Sequence, residues 1–324
     1  MLKRILLIQM VFALVWAAAP AHGQPAYPRK AVTIINPASA GGGTDLIIRT
    51  VAALAEPFFG QPLQVVNKPG GSQAFGMAES ARSEPDGYTL LVSDKSFISS
   101  YYLGVGQVKW TEMESVCRLD IASHVILVPK FSPYKNAKAF VDAATAAPNT
   151  LTIGVSGIGG MSHLVSEAFI EASGARIRVV GFDDGPSNRA ALKARHVTAS
   201  ALQLAEAMPL VKSGDMHIIG LAEEQRSPYF PDIPTFKEQG FDCVLNQFRG
   251  VWAPKGTPQE VIDKLAFVFK QAMETDKFKQ FLKDSYTVNG YMAPAEFIVE
   301  LKKQDEFLKS LITNAGLLLP RKEE

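Results

Sequence analysis

Twice in this chain a short apolar run breaks into a glycine-rich turn and then into a stretch with helical periodicity. The first copy reads "AVTIINPASAGGGTDLIIRTVAALA" and the second "LTIGVSGIGGMSHLVSEAFIEASG". A strand that feeds a helix through a tight turn, and is followed by another strand, gives a parallel sheet covered by helices. In the first copy, "AVTIINP" (31–37), "LQVVN" (63–67) and "YTLLVSD" (88–94) read as buried strands. Ile47, Val51, Leu54 and Phe58 give one helix face, and Gly60 ends that helix. In the second copy the face is Leu164, Val165, Ala168, Phe169 and Ala172, with Ser162 as N-cap, Gly174 as stop and "IRVVGF" as the next strand. The expectation is α/β, with two similar lobes. A chain of 324 residues that is 47% hydrophobic can fill two cores.

Two long extended stretches bracket the second copy, "VCRLDIASHVILVPKFSPYKNAKAFVDAA" and "CVLNQFRGVWAPKGTP". They read as two crossings between lobes that run in opposite directions. Helices at about 258–274, 276–284 and 294–315 then return to the first lobe. This predicts lobe one over 24–124, lobe two over 125–248, and a return to lobe one over 249–324. Cys117 and Cys243 begin the two crossings and so fall toward opposite ends, which argues against a disulfide.

The N-terminus, "MLKRILLIQMVFALVWAAAPAHG", has a basic start, an apolar run from Ile5 to Ala19, and small residues at Ala21 and Gly23. This is the pattern of a cleavable signal peptide over 1–23, and the apolar run is shorter than the roughly 20 residues of a membrane span. The mature chain is expected to be soluble and exported. Lys and Arg number 33 against 32 acids, and no basic block with interleaved aromatics is present, so nucleic acid is not an expected partner. Two cysteines at this spacing suit no metal site.

A glycine turn at a helix N-terminus offers free N–H groups and the positive end of the helix dipole to an anion. Gly41, Gly42 and Gly43, with Thr44 as cap, have that form, as do Gly157, Gly159 and Gly160 with Ser162. Neither loop has the Lys of a phosphate-binding G-x-x-x-x-G-K-[ST] loop. The first loop fails the dinucleotide fingerprint. The second has Asp183 at a fitting distance, but Ser162 stands where the third glycine belongs. Ser156 in "GVSGIG" lacks the G-x-S-x-G elbow, and neither H-E-x-x-H nor paired carboxylates at helical spacing occur. His163, at the start of the second helix, reads either as a capping residue or as part of the site. Nothing in these residues demands chemistry, a metal or a cofactor, and two such loops on facing lobes would clamp one small anion from both sides.

"YPRKAVTIINPASAGGGTD", "NKPGGSQAFGMA", "PDGYTLLV", "SPYFPDIPTFKEQGF" and "WAPKGTP" occur in that order. Together they resemble the tripartite tricarboxylate transporter receptors, also called Bug solute receptors, from about Tyr27 to the C-terminus. The resemblance implies a type II-like periplasmic binding protein, with two α/β lobes joined by two crossing strands and a ligand cleft between them. It implies a small organic di- or tricarboxylate as ligand, large and small membrane permease subunits as partners, and a monomer in the periplasm. A sensory receptor signalling to a membrane kinase, or an α/β enzyme acting on a small carboxylate, is the alternative. The family's ligand loops match Pro37, Ala38, Ser39, Ala40, Gly41, Gly42, Gly43, Thr44 and Asp45 in lobe one. In lobe two they match Ser156, Gly157, Gly159, Gly160, Ser162 and His163. Ser93, Lys95 and Ser96, then Phe182 and Asp183, complete the implied cleft, and Ser200 and Gln203 reach inward. Asp45 is expected to bond a water, a ligand donor or a backbone N–H rather than the carboxylate. Arg249 offers either a partner for a second carboxylate or a salt bridge in the hinge region.

Overall fold

The computed structural model describes residues 27–71 and 73–319, so the predicted signal segment and its cleavage after Gly23 lie outside the described residues. The chain begins with β1 (Val32–Asn36), α1 (Gly43–Phe59), β2 (Leu63–Asn67), α2 (Ala74–Ala81), β3 (Thr89–Asp94), α3 (Ser96–Tyr102) and β4 (Met113–Ala122). One residue later β5 (His124–Pro129) opens a second unit. It continues through α4 (Ala137–Ala146), β6 (Thr152–Ser156), α5 (Met161–Ser173), β7 (Arg178–Phe182), α6 (Gly185–Lys193), β8 (Ala199–Gln203), α7 (Leu204–Lys212) and β9 (Met216–Leu221). The return is made by β10 (Gln247–Pro254), α8 (Gln259–Glu274), α9 (Asp276–Asp284), β11 (Val288–Met292) and α10 (Pro294–Asn314).

Two sheets result, ordered β11-β4-β10-β3-β1-β2 and β7-β6-β8-β5-β9. The glycine-loop strands are parallel to their neighbours: β1 to β2 and β3, and β6 to β7 and β8. The crossing strands are antiparallel. β10 runs against β4, with Gln247 opposite Ala122, so the chain leaves and re-enters the first lobe side by side. Both crossings are therefore held in one hydrogen-bonded ribbon.

Gly60 ends α1 in the left-handed conformation that favours glycine, and Gly174 ends α5 the same way. The face of α1 is turned from the expected one. Ile47, Ile48, Val51, Ala52, Ala55 and Phe59 are buried, whereas Phe58 is 46% exposed. Two adjacent phenylalanines fit either face, and the i, i+4 rows through Val51, Ala55 and Phe59 are the ones the sheet covers. The expected caps also differ. α1 starts on Gly42 and α5 on Gly160, neither with a side-chain cap, so Thr44 and Ser162 lie inside their first turns.

Cys117 and Cys243 are free and buried. They sit in different cores, Cys117 among the side chains of α1 and α8 and Cys243 among those of α5 and Phe236. α10 does more than return to the first lobe. Tyr102 in α3 donates to Asp305 at 2.9 Å, and Asn314 at the far end donates to Glu171 in α5 at 2.8 Å, so the last helix also touches the second lobe. Among the described residues no helix is long and apolar enough to cross a membrane.

Candidate functional site: an interlobe cleft with two chambers

The first turns of α1 and α5 face each other across a chamber of about 210 Å³. Gly43 and Thr44 line it from one lobe; Ser156, Gly160, Met161 and Ser162 line it from the other. Ser96, at the start of α3, closes a third side. A helix start leaves N–H groups without intrahelical acceptors, so donors from both lobes converge on this inner chamber.

Most of the glycine N–H groups are not among those donors. Gly41 N–H is taken by Asp45 Oδ2 at 2.9 Å. In the second loop, Gly157 donates to the Phe182 carbonyl at 2.7 Å, Gly159 to His163 Nδ1 at 2.9 Å, and Gly160 to the Gly157 carbonyl at 3.2 Å. These glycines therefore shape the turn, and the helical first turns present the free donors. Gly41, Gly157 and Gly159 all have positive φ, which such turns require. Gly43 has a different reason. A Cβ there would lie 2.5 Å from an Arg249 guanidinium nitrogen and 3.1 Å from Gln203 Oε1.

Asp45 locks the first loop. Besides Gly41 it accepts from Asn67 at 2.8 Å and Asn36 at 3.3 Å, and pairs with Arg49 at 3.0 Å. Burial alone would raise its pKa, but the Arg49, Gly41 and Asn67 hydrogen bonds outweigh it and hold the carboxyl at about 2. Asn67 also donates to the Ala38 carbonyl, and Ala38 N–H to Asn36, so Pro37 and Ala38 lie in the lock while Ser39 and Ala40 line the cleft. His163 plays the corresponding part in the second loop. It is buried, its Nδ1 accepts from Gly159, and its Nε2 therefore carries the proton toward Glu167 at 3.2 Å.

The floor of the inner chamber comes from the crossing strands. Gln247 donates to Asp94 at 2.6 Å, and His124 lies beside them, its Nδ1 buried with no partner. Burial, then the Arg249 and Lys95 charges, bring His124 down to about 3, so the imidazole is neutral near pH 7. Gly43, Gln203, Glu206 and Arg249 line this chamber and also an outer one of about 640 Å³. Arg249, only 2% exposed, donates to Asp120 at 2.5 Å and to Gln203 Oε1 at 3.2 Å. Burial pushes the Asp120 carboxyl up, and Arg249 pulls against it.

Several expected site residues lie elsewhere. Lys95 points away from Ser96, toward Asn246 at 3.2 Å, and lines a different cavity with Arg118 and Glu300. Burial brings its ammonium down to about 7, against the pull of Glu223 and Glu300. Ser93 is buried beneath β10 and lines neither chamber. Ser200 donates to Asn188, a fully buried hub that also ties Gly154 to Ala201. Phe182 packs into the core of lobe two, and Asp183 is exposed. Its neighbour Asp184 is the one at the outer chamber, capping α6 through Ser187 N–H at 2.8 Å. The sequence alone did not single out His124, Gln247, Glu206 or Asp120. For His124, Asp120 and Gln247 the signal was polar side chains inside otherwise apolar crossing strands, "RLDIASHVILV" and "LNQFRGVW".

The profile of the tripartite tricarboxylate transporter family receptor matches residues 47–317. The chain belongs to this family. A relative from Cupriavidus necator, the UPF0065 protein in the gbd 5' region, is 30% identical over 311 residues, covering 94% of each chain. The periplasmic binding protein BugD superposes with a TM-score of 0.78 at 26% identity, over 90% of this chain and 99% of that one. R. palustris Rpa4515, solved with adipate, superposes with a TM-score of 0.81 at 23% identity, over 90% of this chain and 99% of its own. The chain is thus a solute-binding receptor of the periplasmic-binding-protein fold, not an enzyme. Among the described residues no group of three His, Cys, Asp or Glu is placed to hold a metal ion.

Proposed function

We propose that this receptor, exported after cleavage behind Gly23, captures a small organic carboxylate between its lobes and delivers it to the two membrane subunits of a tripartite permease. The observation that carries the reading is the convergence of two glycine-started helix N-termini, one per lobe, on a single chamber. Neither start is neutralised from inside. α5 has no acid in its first turn, and the one in α1, Asp45, is consumed by the loop lock. A carboxylate is the right size and charge for a chamber of about 210 Å³, and desolvation on closure strengthens each hydrogen bond to it. A fold relative holding adipate agrees with that choice. Lobes over 24–124 with 249–324 and over 125–248 would close about the ribbon at Ser123 and Gln247. Thr44, Ser96 and Ser162 supply side-chain hydroxyls near the carboxylate.

The test is a thermal-shift panel of small carboxylates on the purified mature chain, followed by mass spectrometry of the recovered ligand. A rise in melting temperature with one or a few acids, returned unchanged, is the expected result. Turnover of the ligand, or no shift with any acid, overturns the reading.

A further inference from the structure

The outer chamber says what the rest of the ligand is. It contains two arginines, and each already has a carboxylate: Arg249 has Asp120 at 2.5 Å, and Arg189 has Glu206 at 3.2 Å. The remaining charged side chain in the lining is a third acid, Asp184. Two helices also start here, but each brings its own acid, Asp184 as the cap of α6 and Glu206 in the first turn of α7. A second ligand carboxylate would therefore bring a fourth negative charge to a lining that holds three acids against two arginines.

Two buried atoms in the same wall lack partners. Asp120 Oδ1 and Arg249 Nε make no hydrogen bond of good geometry, and both residues are at least nine-tenths buried. One is an acceptor and the other a donor. A ligand hydroxyl can serve either one, giving its proton to Asp120 or accepting from Arg249. A carboxylate offers no proton to Asp120, and an ammonium offers nothing to Arg249. Leu46, Pro186, Ala205 and Phe281 make the rest of the wall apolar enough for a carbon spacer.

Resting on the carboxylate reading above, we propose that the ligand is a monocarboxylate with a distal hydroxyl. Its carboxylate sits in the inner chamber and its hydroxyl at the Asp120–Arg249 pair, and the outer chamber disfavours a second carboxylate. Matched pairs on one carbon skeleton test this: 6-hydroxyhexanoate against adipate, and 4-(hydroxymethyl)benzoate against terephthalate, by titration calorimetry near neutral pH.

On at least one skeleton the hydroxy acid should bind about tenfold or more tighter than the diacid. Glu206→Gln leaves Arg189 without its partner and should narrow or invert that ratio by about tenfold, with an apo melting curve to verify folding. Diacids that equal or beat their hydroxy acids on every skeleton overturn the proposal but leave the carboxylate receptor standing. So does an unchanged ratio in folded Glu206→Gln. If no acid of either kind binds, both readings fall together.

Discussion

The two glycine loops reach the same end by different chemistry. In lobe one a carboxylate, Asp45, ties the turn to β1 and β2 through Asn36 and Asn67 and to its own helix through Arg49. In lobe two an imidazole, His163, catches the turn at Gly159, and Ser162 Oγ takes the Ser156 N–H at 2.8 Å. The side chains of the first lock reach two neighbouring strands, whereas His163 and Ser162 act within their own loop and helix, and the second loop meets β7 through the Gly157 N–H on the Phe182 carbonyl. The first loop also backs directly onto Arg249, which nothing in the second loop does. Lobe one therefore carries the more rigid half of the clamp.

The largest contrast is expected at the two starting glycines. Gly43→Ala puts a methyl against an arginine that is pinned by Asp120 and Gln203. Ligand binding should fall by about a hundredfold or more, or vanish, with about 1–3 kcal/mol lost in stability. Gly160→Ala meets only two backbone carbonyls, at 3.1 and 3.3 Å, with an ordinary negative φ, and should bind within about tenfold of the parent. Equal losses at the two positions would erase the asymmetry.

Breaking the locks comes next. Asp45→Ala removes the acceptor that Gly41, Asn36, Asn67 and Arg49 share, and should cost about 2–3 kcal/mol by chemical denaturation. His163→Ala releases one loop N–H and should cost about 1–2 kcal/mol, with a larger effect on ligand affinity than on melting temperature. If His163→Ala proves the costlier of the two, the ranking of the loops is reversed.

The narrowest contrast is in the acid titration. The folded-state pKa of Asp45 lies at about 2, below its ordinary 3.8. Its contribution is therefore complete above pH 3.8 and is lost as pH falls toward 2. The amount is about 2 kcal/mol. Subtracting the stability profile of Asp45→Asn from that of the parent should isolate this loss between those pH values. A difference that is flat across the window would remove Asp45 as the lock.

The turns were legible because glycine is written where the backbone needs it, at Gly60 and Gly174 as much as in the loops. The order of strands and helices followed from the same punctuation. What holds the loops was not legible, because each lock is a pairing between distant positions. Nothing next to Asp45 announces Asn67, twenty-two residues on, and nothing near Arg249 announces Asp120 on the neighbouring strand, 129 residues back. Lys95 misled for a related reason. A cation beside Ser96 reads as a ligand contact until the helix start turns it to the opposite side. The one-residue slip from Asp184 to Asp183 is of the same kind, since alternation decides which of two adjacent acids faces inward.

The ribbon of β4 and β10 has a mechanical consequence. Two strands bonded edge to edge resist sliding and splaying but bend across their flat face, so the lobes are joined like the leaves of a door and not like a ball in a socket. If the lobes close on a ligand, that bend is the coordinate along which they would move. A membrane partner reading the outer edges of the two leaves would measure one angle, and that angle would report whether the cargo is in place.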